Sequence, residues 1–561
     1  MKKTLKNEKP PIAAPLPPMP VLWLVAAVLL LYFPTLNLGF TELDDTIFVR
    51  EMEPYNRDLG NLATSFGRGV FSDTADIYYR PLLLDSFVLN HRFSGTSVRG
   101  YHFANLLFHL GAVLLLFSLL QKLRLPRLSA FLLTLFFAVH PVLCQAVAWI
   151  PGRNDTMLAV FTFAFLIGVI DFSETGRWGR FALQFAALVA AFFTKETAVF
   201  AAPVAFVLLV FLLEKNWVDR RSLWLYGSWA AAFGLWWWVR SLATLKQEQL
   251  DFAQVLAALP GRLPVVVQYF GKIILPLNLN VFPIQRDTSS VFGLVAIGLV
   301  AAALFFAKGK NTKTALAGLL VFGLFLLPVL LVPNTLNDQD FEHRLYLPML
   351  GALILLSQTL LFRHKLPEKT LLWAGVAVCA VLAAVNFSHQ KKFNDPITFW
   401  TEAQRNSPHS AYANMMLGAR LDETDLPRAR ALIREAYALN PDEKFLNYYM
   451  GKMLLDMDST DAALRHFERE IKRSGYYECY FHAAQIAFNR KDFAAATDHL
   501  EHFLQAKPTD GPANNNLLLL YLETKQLEKA RAHTAKMKAL GMPVPPQIIQ
   551  QLNAQPAGTG G

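Results

Sequence analysis

The acidic pair Asp44-Asp45 stands only a few residues beyond an apolar run that ends near Phe40. Adjacent acids point in different directions, so one can face a cavity and do acid-base work while the other caps a following helix. Taken alone, such a pair at the start of an amphipathic helix is more often a cap or a solvated face. Arg344 abuts a later apolar run and so falls at a membrane interface, where an arginine can fork two hydrogen bonds onto a phosphate. It could also be an interfacial anchor that snorkels to water. Further groups recur near the ends of apolar runs: Arg80, His140, Arg153 with Asp155, Lys195-Glu196, and Glu342-His343 beside Arg344. A charged side chain at membrane depth costs about 2.5 to 3.5 kcal/mol on insertion scales, so those retained near helix ends are candidates for function. His102, Asn105 and His109, at i, i+3 and i+7, share one helical face. Such a stripe faces other helices or a cavity, through interhelical hydrogen bonds or a role in a site.

Membrane helices must position these groups. The 561 residues are 53% apolar, and a span needs about 17 to 25 apolar residues. Candidates lie near 20–39, 101–120, 128–141, 155–171, 181–193, 197–213, 222–241, 290–307, 314–332, 345–362 and 370–388, about eleven spans. The stretch 181–213 also reads as one long helix interrupted at Thr194-Lys195-Glu196. With two spans there, the basic clusters around Lys2, Lys122, Arg180, Lys215, Lys310 and Arg363 share one side, as cytoplasmic loops do. That parity makes 1–19 a cytoplasmic tail and puts loops of about 40–99, 242–289 and 333–343 on the other side. The membrane domain, 20–390, precedes a connector, 391–409.

Beyond this the composition becomes polar, with a pattern recurring every 31 to 34 residues: Gly451, Ala463 and Phe467; Ala484, Ala496, Phe503 and Pro508. Small residues let paired helices pack closely and a proline closes each pair, which is the signature of tetratricopeptide repeats over 410–545. Residues 546–561 read as a flexible tail. The expected fold is therefore all-α, a polytopic helix bundle followed by a C-terminal α-solenoid.

The net charge of +10 lies in short clusters between apolar runs, which argues against nucleic acid. Three dispersed cysteines suggest neither a disulfide framework nor a zinc site. Charges crowd helix ends and leave the midplane apolar, which disfavours a transporter.

The motifs Asp44-Asp45, Tyr79-Arg80-Pro81-Leu82, Tyr101-His102 to His109, His140-Pro141 with Gly152-Arg153-Asn154-Asp155, Lys195-Glu196, Leu275-Pro276 and Glu342-His343-Arg344-Leu345-Tyr346-Leu347-Pro348 stand in one order. In that order the chain resembles the tetratricopeptide-repeat membrane O-mannosyltransferases of the C-type glycosyltransferase (GT-C) superfamily. His343 separates the acid and the arginine that adjoin in that family's pattern. The resemblance implies transfer of a sugar, often mannose, from a polyprenyl phosphate to Ser or Thr hydroxyls on the outer membrane face, with inversion. It makes Asp44, then Asp45, the expected base and Arg344 the leading donor-phosphate ligand, ahead of Arg80, Arg153 and Lys195. His102, His109, His140, Asp155, Glu196, Glu342 and His343 would line the cavity. No cofactor is obligatory, although acidic clusters could hold a divalent ion. Expected partners are the lipid donor, membrane lipids and an acceptor protein held by the repeats. The setting would be a bacterial inner membrane with a periplasmic site, or an endoplasmic reticulum in a eukaryote. Alternatives are a transferase acting on lipid or polysaccharide, and a non-enzymatic anchor for the repeats.

Overall fold

The computed structural model describes residues 19–71, 78–243, 252–332, 338–363 and 366–554, so the expected tail 1–19 lies outside it but for Met19. The described residues are helical apart from loops and one isolated antiparallel bridge, Ile284 to Gln339. Two compact units emerge, Met1–Ser407 and Pro408–Gly561.

The first unit is a multi-pass membrane bundle. Among the described residues, five helices are long and apolar enough to cross a bilayer: Pro20–Asn37, Val98–Lys122, Ile150–Thr175, Thr312–Leu330 and Glu368–Phe393. Arg127–Val139 and Pro141–Ala148 form a sixth candidate bent by 50°. Two apolar stretches break at polar residues, the first where the sequence already places the boundary between two runs. Lys195 is extended (φ −160°, ψ 137°), dividing 181–213 into the helices Trp178–Thr194 and Glu196–Leu212. The run 345–362 is interrupted after Leu356 by buried Ser357-Gln358-Thr359, where Gln358 accepts from the Asn311 backbone at 3.0 Å. The long loop 242–289 holds a 23-residue helix, Phe252–Ile274, containing Pro260 and Pro264. The connector 391–409 is not a free linker: the helix Pro396–Asn406 buries Phe399 and Trp400 within the first unit.

Helix Arg153–Thr175 separates two sets of ion pairs. Asp155 and Asp171 stand 16 residues apart on it, about 24 Å at 1.5 Å per residue. At one end Asp171 pairs with Lys122 and, at 3.4 Å, with Arg180. Glu174 meets Arg124 and Lys215 there, and Arg221 donates to the Ser173 and Glu174 carbonyls. At the other end Asp155 meets Lys195 and His343. The basic interhelical clusters therefore gather around one end of the bundle, and the buried acid-base groups around the other.

Glycines set a close helix crossing. A Cβ on Gly351 would lie 2.2 Å from the Phe322 nitrogen, and one on Gly318 2.6 Å from the Leu355 nitrogen. Gly351→Val should therefore force the helices Thr312–Leu330 and Pro348–Leu356 apart and cost about 1 to 3 kcal/mol or more. Thermal unfolding in detergent reads this as a lowered midpoint; an unchanged midpoint would contradict the crossing.

The second unit stacks four helix pairs: Ala411–Leu421 with Leu426–Leu439, Leu446–Leu455 with Thr460–Ser474, Tyr477–Asn489 with Phe493–Ala506, and Gly511–Glu523 with Leu527–Ala539. The expected flexible tail begins instead as the helix Pro546–Ala554, with Ile548 and Leu552 buried; residues 555–561 lie outside the described part. A brace recurs in three pairs, where an asparagine carboxamide donates to the carbonyl of a proline six residues earlier: Asn414 to Pro408, Asn447 to Pro441 and Asn514 to Pro508, at 2.8, 3.1 and 3.0 Å. Tyr480 holds the matching position in the third pair.

Nineteen residues after Asn447, Tyr480 and Asn514 come His466, His499 and His533. His466 Nδ1–H donates to Asn447 Oδ1 at 2.9 Å, and His533 bonds the Asn514 carbonyl at 3.2 Å. Burial lowers all three imidazoles below their usual 6.5. A depressed imidazole binds fewer protons folded than unfolded, so its stabilisation is complete above pH 6.5 and is lost as pH falls through the folded value. Amide exchange across these helices in the intact protein should quicken between about pH 7.5 and pH 5.5, after correction for intrinsic rates. Unchanged protection would refute the linkage.

Candidate functional site

The loop after the first span presents its two acids differently. Asp45 is buried and fully engaged: Oδ2 accepts from the Thr41 N–H at 2.6 Å and the Thr41 hydroxyl at 2.9 Å, while Oδ1 accepts from the Glu42 and Thr46 N–H groups at 2.9 and 3.0 Å. Burial raises its pKa against these four donors. Such a carboxylate closes a turn, and Glu42 within it takes a positive φ of 55°. Asp44 is half-buried beside this knot.

The four expected phosphate ligands also differ. Arg153 is wholly buried among neutral acceptors: Nε donates to Asn105 Oδ1 and Nη2 to Asn90 Oδ1 and the Tyr101 carbonyl, each at 2.9 Å, and Nη1 reaches Ser86. Its guanidinium lies 4.4 Å from the Phe87 ring centroid. This one side chain pins the helices Pro81–Ser94 and Val98–Lys122 to its own, which leaves no free edge for a ligand. Arg80 forks onto Glu196, with Nε to Oε2 at 2.9 Å. Lys195 lies 2.8 and 2.9 Å from the two Asp155 oxygens. Burial lowers the Lys195 ammonium and Asp155 opposes that shift. Arg344 alone of the four is half-buried with only a neutral partner, the Gln339 carbonyl at 2.6 Å; among the described residues no carboxylate lies within ion-pair reach of it. Its guanidinium keeps donors for an anion.

Aromatic contacts join the Asp44 loop to the Arg344 turn. The Trp400 indole N–H donates to the Thr41 carbonyl at 3.0 Å. Its ring packs on Phe282 at 5.4 Å, Phe282 meets Phe341 edge-on at 5.4 Å, and the Arg344 guanidinium lies 5.6 Å from the Phe341 centroid. His343 stacks on Phe341, lies 5.6 Å from the Trp149 ring, and donates from Nδ1 to Gln145 Oε1 at 3.1 Å. Burial, then the positive charges of Lys195, Arg344 and Arg80, push its imidazole well below the usual range. His343 thus marks where three cations converge, with Asp155 3.8 Å away.

Other expected cavity groups are packed into the protein. His109 pairs through Nδ1 with the Tyr346 hydroxyl at 2.6 Å and through Nε2 with the Ala138 carbonyl. His140 donates from Nε2 to the Ile273 carbonyl at 2.9 Å and accepts the Val142 N–H at Nδ1. His102 is fully buried against the backbone of Leu38 and Gly39. Glu342 is fully buried too, with Oε1 accepting from Lys272 Nζ at 2.7 Å and the Asn280 N–H at 2.8 Å. Sequence reading missed Lys272, Gln145 and Trp400. The one available signal was Lys272, a cation retained in an apolar run. Among the described residues no three His, Cys, Asp or Glu side chains gather to hold a metal ion.

Comparison with known proteins adds the following. The chain is 30% identical over 182 residues to protein O-mannosyl-transferase Tmtc1 of Drosophila melanogaster, covering 31% of this chain and 21% of that protein. It is 36% identical over 105 residues to protein O-mannosyl-transferase F38B6.6 of Caenorhabditis elegans, covering 18% and 15%. Against protein O-mannosyl-transferase TMTC3 of Homo sapiens it is 21% identical over 434 residues, covering 69% and 47%. The chain spans less than half the length of each of these relatives. A crystal structure of ArnT from Cupriavidus metallidurans bound to undecaprenyl phosphate is 14% identical, with a TM-score of 0.40 over 83% of this chain and 80% of that one. No protein-family model matches.

Proposed function

We propose that the first unit is a glycosyltransferase that moves a sugar, mannose by preference, from a polyprenyl phosphate to Ser or Thr hydroxyls of an acceptor protein, inverting the anomeric carbon. The observation that carries this reading is the link, through Trp400, Phe282 and Phe341, between the loop of a half-buried acid and an arginine that no carboxylate among the described residues neutralises. The relatives named protein O-mannosyl-transferases support mannose as the sugar and a protein as the acceptor.

A serine hydroxyl is a weak nucleophile at neutral pH, so a carboxylate must take its proton as the oxygen attacks. Asp44 fills that role because Asp45 has no free oxygen. On the opposite face of the anomeric carbon the sugar–phosphate bond breaks and charge develops on the departing phosphate. Arg344 meets that charge directly, while Lys195 and Arg80, held by Asp155 and Glu196, add a fixed positive field. The bundle end that bears these groups faces the periplasm or an organelle lumen, and the basic end around Asp171 faces the cytoplasm. Incubating the purified protein with polyprenyl-phosphate mannose and a Ser/Thr-rich polypeptide should yield mannose linked with inverted anomeric configuration, as read by NMR. Retained configuration would contradict a single displacement, and absence of any transfer would contradict the reading.

The repeats would hold the acceptor protein and raise the local concentration of its acceptor segment. Deleting residues 410–561 should raise KM for a protein acceptor about 10- to 100-fold while leaving a short peptide nearly unaffected. Equal loss with both substrates would rule out this role.

A further inference from the structure

The segment that carries Arg344 is gripped at three successive residues by one helix. From Phe252–Ile274, Arg262 Nη2 donates to Asp340 Oδ1 at 2.6 Å, the Tyr269 hydroxyl donates to the Phe341 carbonyl at 3.0 Å, and Lys272 Nζ donates to Glu342 Oε1 at 2.7 Å. Offsets of seven and ten residues keep these side chains within about 80° of one another around a helix of 3.6 residues per turn. All three are fully buried. The turn Glu342–Leu345 starts where the grip ends. It directs His343 onto Gln145 and leaves Arg344 as its half-buried cation.

The grip stands on a firm base. A Cβ on Gly293 would fall 2.1 Å from the Val267 carbonyl oxygen, and one on Gly271 2.6 Å from the Gly293 nitrogen, so the backbones of Phe252–Ile274 and Val291–Phe305 touch. From the other side the Asp340 N–H donates to the Pro283 carbonyl at 2.7 Å. Glu342 Oε2 lies 3.8 Å from His389 Nε2, beyond hydrogen-bond reach, which leaves Lys272 and the Asn280 backbone to fix that carboxylate.

We infer that Arg262, Tyr269 and Lys272 are positioning residues for the donor phosphate: they touch no substrate and act by fixing where the Arg344 guanidinium stands. This rests on the donor assignment above. A buried ion pair can serve stability alone, so the test asks whether its effect travels through Arg344.

Lys272→Met, Lys272→Arg and Tyr269→Phe are to be made alone and in an Arg344→Gln background, with binding of polyprenyl phosphate measured in detergent micelles beside donor and acceptor-peptide KM. Lys272→Met should weaken lipid-phosphate binding about tenfold, raise donor KM in step, and leave peptide KM unchanged. Lys272→Arg should recover most of the loss. In the Arg344→Gln background Lys272→Met should cost nothing further. Where Lys272→Met does not fold, Tyr269→Phe, which removes one hydroxyl, carries the same comparison. Equal losses in both backgrounds, or wild-type affinity in the folded variants, would overturn the inference alone. Absence of binding by the wild type would overturn the donor assignment and the inference together.

Discussion

Asp44→Asn should lower the transfer rate about 10²- to 10⁴-fold with little change in either KM. The amide keeps the size and hydrogen-bonding shape of the carboxylate but cannot accept the serine proton, so the loss falls on the chemical step, about 3 to 5 kcal/mol of barrier. Asp45→Asn separates the two acids. The Asp45 carboxylate takes four donors from Thr41, Glu42 and Thr46, and an amide nitrogen in place of one oxygen would set a donor against two of them. That variant should lose thermal stability, and its activity should fall only as far as the Asp44 loop is disordered. Melting temperature and kcat measured on both variants check the assignment. Wild-type kcat in folded Asp44→Asn would send the search for the base elsewhere in the same loop.

Arg344→Gln should cost about 10²- to 10³-fold in kcat/KM for the lipid donor and leave acceptor-peptide KM nearly unchanged. Nothing in the described structure opposes its removal, since its partners are one carbonyl and one ring face. Folding should therefore survive. Arg153→Gln is the informative contrast, because that guanidinium braces Asn105, Asn90, Ser86 and the Tyr101 carbonyl. It should destabilise the bundle and affect turnover only through that loss. Steady-state kinetics beside thermal unfolding separates the two arginines, and equal kinetic defects at equal stability would contradict their different roles.

Much of the architecture could be read from the sequence. Apolar runs of spanning length, basic clusters of one parity and prolines recurring about every 33 residues are local signals that hydropathy and spacing report directly. Hydropathy cannot see a break made by three polar residues that bury themselves, so Ser357-Gln358-Thr359 passed as part of a span. The candidate site was less legible, for a tertiary reason. A motif names a residue type, whereas ligand binding depends on which of its hydrogen-bonding atoms remain open after folding. Arg153 and Arg344 look alike in sequence, and only their surroundings distinguish a saturated brace from an open cation. His109 and His140 were expected to line a cavity for the same reason, yet both ring nitrogens of each are occupied: those of His109 by Tyr346 and Ala138, those of His140 by the Ile273 carbonyl and the Val142 N–H of its own turn. The grip of Phe252–Ile274 on 340–342 could not be read because its partners are some 70 residues apart.

Single-turnover transfer of radiolabelled mannose from polyprenyl-phosphate mannose to a Ser/Thr-rich polypeptide, by wild type, Asp44→Asn and Arg344→Gln, with and without chelator, tests Asp44 as base and Arg344 as phosphate ligand together. Wild type should give a burst of labelled polypeptide in both conditions, Asp44→Asn a rate at least about 100-fold lower at saturating donor, and Arg344→Gln a loss that higher donor concentration partly repairs. Transfer by both folded variants at the wild-type rate would contradict both roles.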